Sequence, residues 1–382
     1  MRRAGEAERR RLNDTFAELC RIPSPFGRER ACADRVAADL RAIGLTVEED
    51  DAAAESGAEC GNLLARLPAP GGPEGEQGGV LLCAHLDTVV PAAPIQPEVI
   101  DAGWENVHEG ILGADNKAAV AVLLELARHF AGSQPPPQTV ELLFTVSEEN
   151  ALAGAKAFEV GRLRSRFGYV FDHASPIGEI VLASPTYYRL EATFHGASAH
   201  AGIRPEDGRS AVAAGAHAVS ALRLGRLDSE TTANVGRLEG GSASTNVVPD
   251  RCRVEAEARS LDREKVEALV AEMVDHLQDG ANAAECDVDL TVQRMFDGYR
   301  TQASAPQVFA AETALRACGY EPRSIQTGGG SDANAFEAAG FPTVNLANGT
   351  ERNHEPTERV SVAALEGMLD VALELVDASS RC

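Results

Sequence analysis

Apolar runs of strand length that alternate with helical stretches constrain this chain more than any other feature of its sequence. VLLCAH at 80–85, VELLFTV at 140–146 and FGYVF at 167–171 are short and almost wholly apolar. Between them lie LGADNKAAVAVLLELARHF, built from strong helix formers, and the helical ALAGAKAFEV. Strands buried on both faces and separated by helices read as a mixed, mostly parallel sheet covered by helices, an α/β fold. Two helices are expected ahead of them. Leu12, Phe16 and Leu19 repeat at helical spacing within 7–20, and a pattern from Glu29 to Ile43 stops at Gly44. Asp115 and Asn116 are expected to cap the helix that follows them. PAPGGPEGEQGG at 68–79 has the composition of a flexible loop, and the stretch holding Pro91, Pro94 and Pro97 reads as irregular.

From about Pro185 the pattern changes. YYRLEATFHG alternates as a strand, 206–223 reads as a helix, TTANVGRLEGG and CRVEAEARS as strands, REKVEALVAEMVDHLQDG as a helix and DVDLTVQRM as a strand. The order β-α-β-β-α-β is ferredoxin-like, one small sheet with two helices on one face. The chain then returns to a helix, the Gly-rich loop TGGGSDANAF, the strand PTVNLA and a closing helix. The expected organisation is a catalytic domain of 1–183 and 298–382, interrupted by an inserted ferredoxin-like domain at 184–297. A chain of 382 residues is long enough for both.

Charge narrows the partners. With 58 acidic against 35 basic side chains the formal charge is -23, which disfavours nucleic acid and anionic membranes and is compatible with bound cations. No apolar run approaches the roughly 18 residues of a membrane span, and the basic N-terminus lacks a signal-like apolar stretch. The eight cysteines form no CxxC pair, so neither a thiolate zinc site nor a redox motif is indicated, and a reducing, cytoplasmic compartment is expected.

The chemistry gathers at strand ends. His85 and Asp87 follow the first apolar run, Glu148 and Glu149 the second, and Asp172 the third. Ligands of open parallel sheets bind outside the carboxyl ends of the strands, so these groups can converge although far apart in sequence. Asp115 stands where a loop enters a helix, and His354 lies in the loop GTERNHEPTE. Each alone is ordinary turn or surface chemistry. Together they form an imidazole and carboxylate set without thiolates, which suits Zn2+, Mn2+ or Co2+ and is large enough for two ions sharing a carboxylate. His85 and Asp87, two apart on an extended segment, face the same side, so the carboxylate can orient the imidazole. Two adjacent carboxylates such as Glu148 and Glu149 repel and need a cation nearby to stay ionised together.

HLDTV, LGADNKA, TVSEENALAGAKAF, FD at 171–172, GASAHAGIRPEDGRSA, STNVVPD, GGGSDANAF and NHEP occur in an order that resembles the M20 metallopeptidases, with the peptidase T-like members nearest. The resemblance spans roughly residues 8–378. It implies a zinc-peptidase-like catalytic domain with an inserted lid and dimerisation domain. Two divalent ions are implied, Zn2+ first and Mn2+ or Co2+ as alternatives. His85 and Asp172 would hold one ion, Glu149 and His354 the other, and Asp115 would bridge them. Asp87 would hold His85, and Glu148 would be the general base. A cis peptide is implied after Asp115, with Asn116 standing where the family often has Asp. His200 would stabilise the developing oxyanion from the partner subunit of a homodimer. Asn246, Arg259, Gly329, Gly330 and Ser331 are candidate substrate contacts, Arg259 as a bidentate clamp for a carboxylate. The implied activity is hydrolysis of short peptides by an aminopeptidase or di/tripeptidase. An N-acyl amino acid deacylase and a non-catalytic peptide- or metal-binding relative are the alternatives.

Overall fold

The three apolar runs become adjacent strands. Val80–His85 lies between Val140–Thr145 and Phe167–His173, parallel to both, and Thr343–Ala347 adds a fourth parallel strand beside Phe167–His173. Antiparallel strands flank this centre, Leu63–Leu67 and Val47–Glu49 on one side and Glu179–Ser184 on the other. All residues of Val80–His85 and Val140–Thr145 are buried, as expected for strands covered on both faces. The helix Ala114–Ala131 packs on Val80–His85 and is itself covered by Glu6–Cys20 and Val362–Ser379. That position explains why it is apolar almost all round. The structure is a computed structural model describing residues 2–70, 78–132, 135–241 and 243–382, so most of the expected 68–79 loop lies outside the described residues.

The chain divides into two compact units. Met1–Leu182, Arg300–Gln326 and Ser331–Cys382 form the first, Ala183–Tyr299 with Thr327–Gly330 the second. The second unit therefore begins one residue before the expected insert, ends two after it and adds part of the Gly-rich loop.

In the second unit the strands lie in the order Thr231–Gly240, Arg251–Ser260, Thr186–His195, Asp287–Phe296, all antiparallel, with Gly225–Arg226 on the outer edge. Leu190, Ala192 and Phe194, with Cys252, Val254, Ala256 and Ala258, turn one face toward Ala211–Ala221 and Arg263–Ala283 and build a separate core. The opposite face carries ion pairs among Arg189, Glu191, Arg253 and Glu255. This alternation is the two-residue period of a half-buried strand. A Cβ on Gly280 would stand 2.6 Å from the Ala218 Cβ, so glycine is what lets the two helices touch.

Several local expectations change. The helix expected over 206–223 is Ala211–Ala221, because Pro205–Asp207 forms a single 3-10 turn and Ser210 caps the helix through the Ala213 N–H. ALAGAKAFEV keeps only Ala153–Ala157 as α-helix, since Ala151 and Leu152 take left-handed φ values of 56° and 63°. Asp115 and Asn116 do not cap. Gly113 occupies the cap position, and both residues are non-helical within the first turn. The proline-rich stretch is not wholly irregular: Pro97–Ile100 and Gly103–Asn106 pair as a hairpin whose turn places Asp101 and Ala102 at φ of 47° and 61°. Arg359–Ser361 and Thr350–Glu351 extend this hairpin into a second small sheet, which frames the loop carrying His354.

Candidate metal centre

Strand register brings the expected ligands together. His85 pairs with Thr145, and Cys83 pairs with Val170, so two residues further along His85 stands level with Asp172. Asp172 is the extra residue where the pairing with Thr343–Ala347 slips, Leu346 matching Phe171 and Ala347 matching His173. Such a bulge re-aims a side chain and leaves a backbone group unpaired. The buried Asn345 side chain accepts the freed Asp172 N–H at 3.0 Å.

Beyond Thr145 the chain leaves the strand and turns at Ser147, φ 51°. Glu29, fully buried, accepts the Ser147 N–H at 3.1 Å and its hydroxyl at 3.0 Å. Asp87 accepts the backbone N–H of Glu148 and of Glu149, each at 3.0 Å. Its carboxylate is thus mainly a clamp on the Glu148–Glu149 turn. The nearer partner of His85 Nδ1 is the Asp87 carbonyl at 3.0 Å, with the Asp87 carboxylate at 3.4 Å. Donating Nδ1–H to that carbonyl leaves Nε2 to face the centre.

Asp115 looks two ways. Its Oδ1 lies 3.3 Å from His85 Nε2, and its Oδ2 lies 3.3 Å from His354 Nε2 and 2.8 Å from Asn353 Nδ2. Asp172 Oδ1 is 3.5 Å from His85 Nε2, and Glu149 Oε1 is 2.8 Å from His354 Nε2. The peptide bond between Asp115 and Asn116 is cis. Ligand atoms of three sets lie within 4.8 Å of one another: His85, Asp115 and Asp172; Asp115, Glu149 and His354; His85, Glu148 and Glu149.

The electrostatics call for positive charge. Burial, reinforced by neighbouring carboxylates, pushes Glu148, Glu149 and Asp172 above the usual carboxylate range. Asp115 is pulled the other way: burial would raise it, but hydrogen bonds from His354 and His85 hold it low. Burial alone would depress His85, yet Asp172, Asp115 and Asp87 override it and hold its imidazole well above the usual value. His354, hydrogen-bonded to Asp115 and Glu149, is raised to about 10. The two histidines are the only positive partners of these carboxylates among the described residues. A crowd of buried carboxylates with imidazoles and no thiolate fits divalent cations of the zinc, manganese and cobalt kind.

Residues that the sequence did not single out complete the frame. Glu358, 2% exposed, accepts the N–H of Leu112 at 2.9 Å, of Gly113 at 3.0 Å and of Asp115 at 2.9 Å. Burial pushes its carboxyl up to about 7 against those three donors. Asp332 accepts a hydrogen bond from Thr145 and leaves Oδ1 buried without a partner among the described residues; burial raises it to about 6. An acid in a polar loop gives no sequence signal for such a task, whereas Asn345 inside an apolar strand is a polar outlier that could have been noticed.

The remaining candidates belong to other segments of the chain. His200 and Asn246 belong to the second unit, where His200 bridges to Val247 and the Asn246 carbonyl accepts the Ala201 N–H at 2.8 Å. Both are exposed, and His200 Nδ1 accepts the Gly202 N–H at 3.2 Å, leaving Nε2 as the free ring nitrogen. The expected free guanidinium fork of Arg259 is already engaged. Its Nε and Nη2 bond Glu257 at 3.2 and 3.1 Å, Nη1 reaches the Gly328 carbonyl at 3.4 Å, and Tyr187 lies beneath it. Glu257, two residues away on the same strand face, is the reason. The Gly-rich loop is also partly committed: the Gly329 N–H goes to Thr327 Oγ1 and the Ser331 N–H to Asn334 Oδ1, each at 3.1 Å. Gly330 keeps its N–H without a partner among the described residues and packs against the Phe296 ring.

Comparison with known proteins accounts for both units. The M20 peptidase dimerisation-domain model matches residues 186–285, and the model of peptidase family M28 matches 62–176. Aminopeptidase PepT from Bacillus cereus ATCC 10987 is 37% identical, with 97% of this chain and 98% of that one aligned at a TM-score of 0.84. A tripeptidase from Staphylococcus aureus Mu50 is 34% identical, with 98% and 99% covered at a TM-score of 0.90. Protein YqjE of Bacillus subtilis strain 168, itself uncharacterised, is 34% identical over 97% of this chain and 99% of its own length. The strand-end cluster, the dimerisation-domain match and whole-length relatedness to PepT and a tripeptidase agree: the chain belongs to the M20 metallopeptidases, peptidase T-like, and is a metal-dependent hydrolase of peptide bonds.

Proposed function

We propose that the chain is an aminopeptidase of short peptides, di- or tripeptides, working with two divalent ions. The observation that carries this reading is the double membership of Asp115, whose Oδ1 faces His85 while Oδ2 faces His354. His85, Asp115 and Asp172 would hold one ion, and Asp115, Glu149 and His354 the other, Zn2+ first with Mn2+ and Co2+ also suited to the donor set. When bound, such ions would supply Lewis-acid chemistry, acidifying a water and polarising the scissile carbonyl.

The protein's own groups do the rest. Glu148 takes the proton of the attacking water on its carboxylate and returns it to the leaving nitrogen. Asp87 keeps that carboxylate in place through its two backbone hydrogen bonds to the Glu148–Glu149 turn. The dimerisation-domain match supports a homodimer in which the partner subunit's His200 donates Nε2–H to the carbonyl oxygen as charge develops. Asn246 and Gly330 add substrate contacts, and Arg259 contributes where it gives up Glu257. Eight free cysteines support a reducing, cytoplasmic setting, and no helix among the described residues is long and apolar enough to cross a membrane.

Glu148→Gln tests the assignment. The variant is expected to bind two ions as the unaltered enzyme does while tripeptide turnover falls by roughly 10²–10⁴. Turnover within tenfold of the unaltered enzyme would remove Glu148 from the role of base.

A further inference from the structure

A cavity of about 560 Å3 opens in the first unit between the segment that follows Asp172 and the segment that precedes His354. Ala174 begins its lining two residues after Asp172, and Arg352 ends one side two residues before His354. Two residues span at most about 7.6 Å between Cα atoms, so covalent connection keeps these two parts of the lining, Ala174 and Arg352, close to Asp172 and His354.

Its chemistry is uneven. Ile177 and Tyr320 form an apolar interior, and glycine lets its walls pack closely: a Cβ on Gly349 would meet Ala364 at 2.7 Å, and one on Gly367 would meet the Tyr320 hydroxyl at 2.1 Å. The rim is polar and carries more positive than negative influence. Arg352 lines it, is exposed and has no ion-pair partner among the described residues. Ser361, Ala363 and Ala364 bring the N-terminal turn of the 18-residue helix Val362–Ser379 to the same rim, and such a turn favours an anion. Ser175 Oγ, also in the lining, is buried with no hydrogen-bond partner among the described residues. Glu351 is the opposing charge at the rim.

We propose that this cavity, beside the Asp172 and His354 ends of the centre, binds the C-terminal residue of the peptide, apolar side chain inside and free carboxylate on Arg352 and the Ser175 hydroxyl. The proposal rests on the peptidase reading above and names a substrate class for it: short peptides ending in a large apolar residue with a free carboxylate. The size agrees, since ligand pockets run roughly 300–1,000 Å3. Arg352 also supplies an uncommitted guanidinium, which Arg259 does not.

The test uses the metal-loaded enzyme and Ala-Ala-Phe and Ala-Ala-Gly, each as free acid and as C-terminal amide. Hydrolysis is followed in the unaltered enzyme, and calorimetric binding in the Glu148→Gln variant. The unaltered enzyme is expected to prefer the Phe acid over both the Gly acid and the Phe amide by at least tenfold in kcat/KM. Arg352→Gln should collapse the acid-to-amide preference to below threefold, mainly through KM. Ala363→Phe, which fills the cavity from an exposed position, should collapse the Phe-to-Gly preference. Preferences that survive both substitutions overturn the proposal, as does a dependence that follows N-acetylation and Glu351→Gln, which would place the peptide amine there. If no peptide is hydrolysed but binding to the Glu148→Gln variant shows the same preferences, the peptidase reading fails and the cavity assignment stands. Loss of the preferences from both measurements sinks the cavity assignment alone when the unaltered enzyme still cleaves peptides.

Discussion

Glu358 ties together the two loops that carry Asp115 and His354. It lies four residues after His354, yet its carboxylate spends both oxygens on the backbone of Leu112, Gly113 and Asp115. Replacing it by Ala leaves three buried N–H groups without their acceptor, and an unsatisfied buried donor costs about 1–3 kcal/mol. The Asp115 side chain would then lose its fixed aim at both ligand sets. Outer partners of this kind typically govern metal affinity by 10–100-fold. Glu358→Ala is therefore expected to weaken metal binding by about that factor in competition with a chelator, while Glu358→Gln, which keeps one acceptor oxygen, falls between. Equal affinity in all three proteins would show that Asp115 is held by other means. None of this could be read from NHEPTE alone, where an acid among polar residues looks like solvated surface. His85, Glu148, Glu149 and Asp172 stood out together because three buried apolar strands end on them, whereas Asp115, at a helix entry, and His354, in a polar loop, were singled out by the ordered motifs.

Strands and helices were legible where one period dominates. Arg251–Ser260 alternates strictly between buried and partly exposed residues along most of its length, and its pattern in the sequence is the same two-residue period. The Pro97–Asn106 hairpin was hidden because its turn uses Asp101 and Ala102 in left-handed conformations, and alanine carries no turn signal. The role of Gly280 was hidden too, since a glycine within a helix reads as a weakness until its neighbour is known. The close approach of Arg263–Ala283 to Ala211–Ala221 makes a prediction at this scale. Gly→Ala inside a helix should gain roughly 0.5–1 kcal/mol from propensity. Here the new methyl would stand 2.6 Å from Ala218 Cβ and 2.7 Å from the Ala214 carbonyl. Overpacking of that kind costs about 1–3 kcal/mol and exceeds the propensity gain. Gly280→Ala should lower the denaturation midpoint, and Gly280→Ala with Ala218→Gly should recover part of the loss. A stabilised single variant would mean that the helices separate easily.

At the scale of the whole molecule, each compact unit has its own apolar core, and every ligand set of the metal centre lies in the first. The net charge of -23 is far larger than the centre can account for, because only eight of the 58 acidic residues, Glu29, Asp87, Asp115, Glu148, Glu149, Asp172, Asp332 and Glu358, build or brace it. The rest of that charge is distributed, but these eight sit together in a buried place, where mutual repulsion is least screened. Metal binding should therefore stabilise the first unit and leave the second almost unchanged. The single tryptophan makes the two separable. Trp104 donates Nε1–H to Asn13 at 2.8 Å, packs edge-on against Phe16 and pairs with Val360 in the sheet next to Glu358, all within the first unit. A ligand present at a hundredfold its Kd stabilises the form that binds it by about 2.7 kcal/mol. For a unit of this size that corresponds to roughly 5–10 °C in melting temperature. In scanning calorimetry with parallel tryptophan fluorescence, removal of metal by a chelator should move the fluorescence transition down by about that much, and added Zn2+ or Mn2+ should restore it. The second endotherm, silent in fluorescence, should stay where it is. A tryptophan transition indifferent to chelator would mean that the buried carboxylates are balanced by shared protons alone, and a joint shift of both transitions would mean that the two cores melt as one cooperative body.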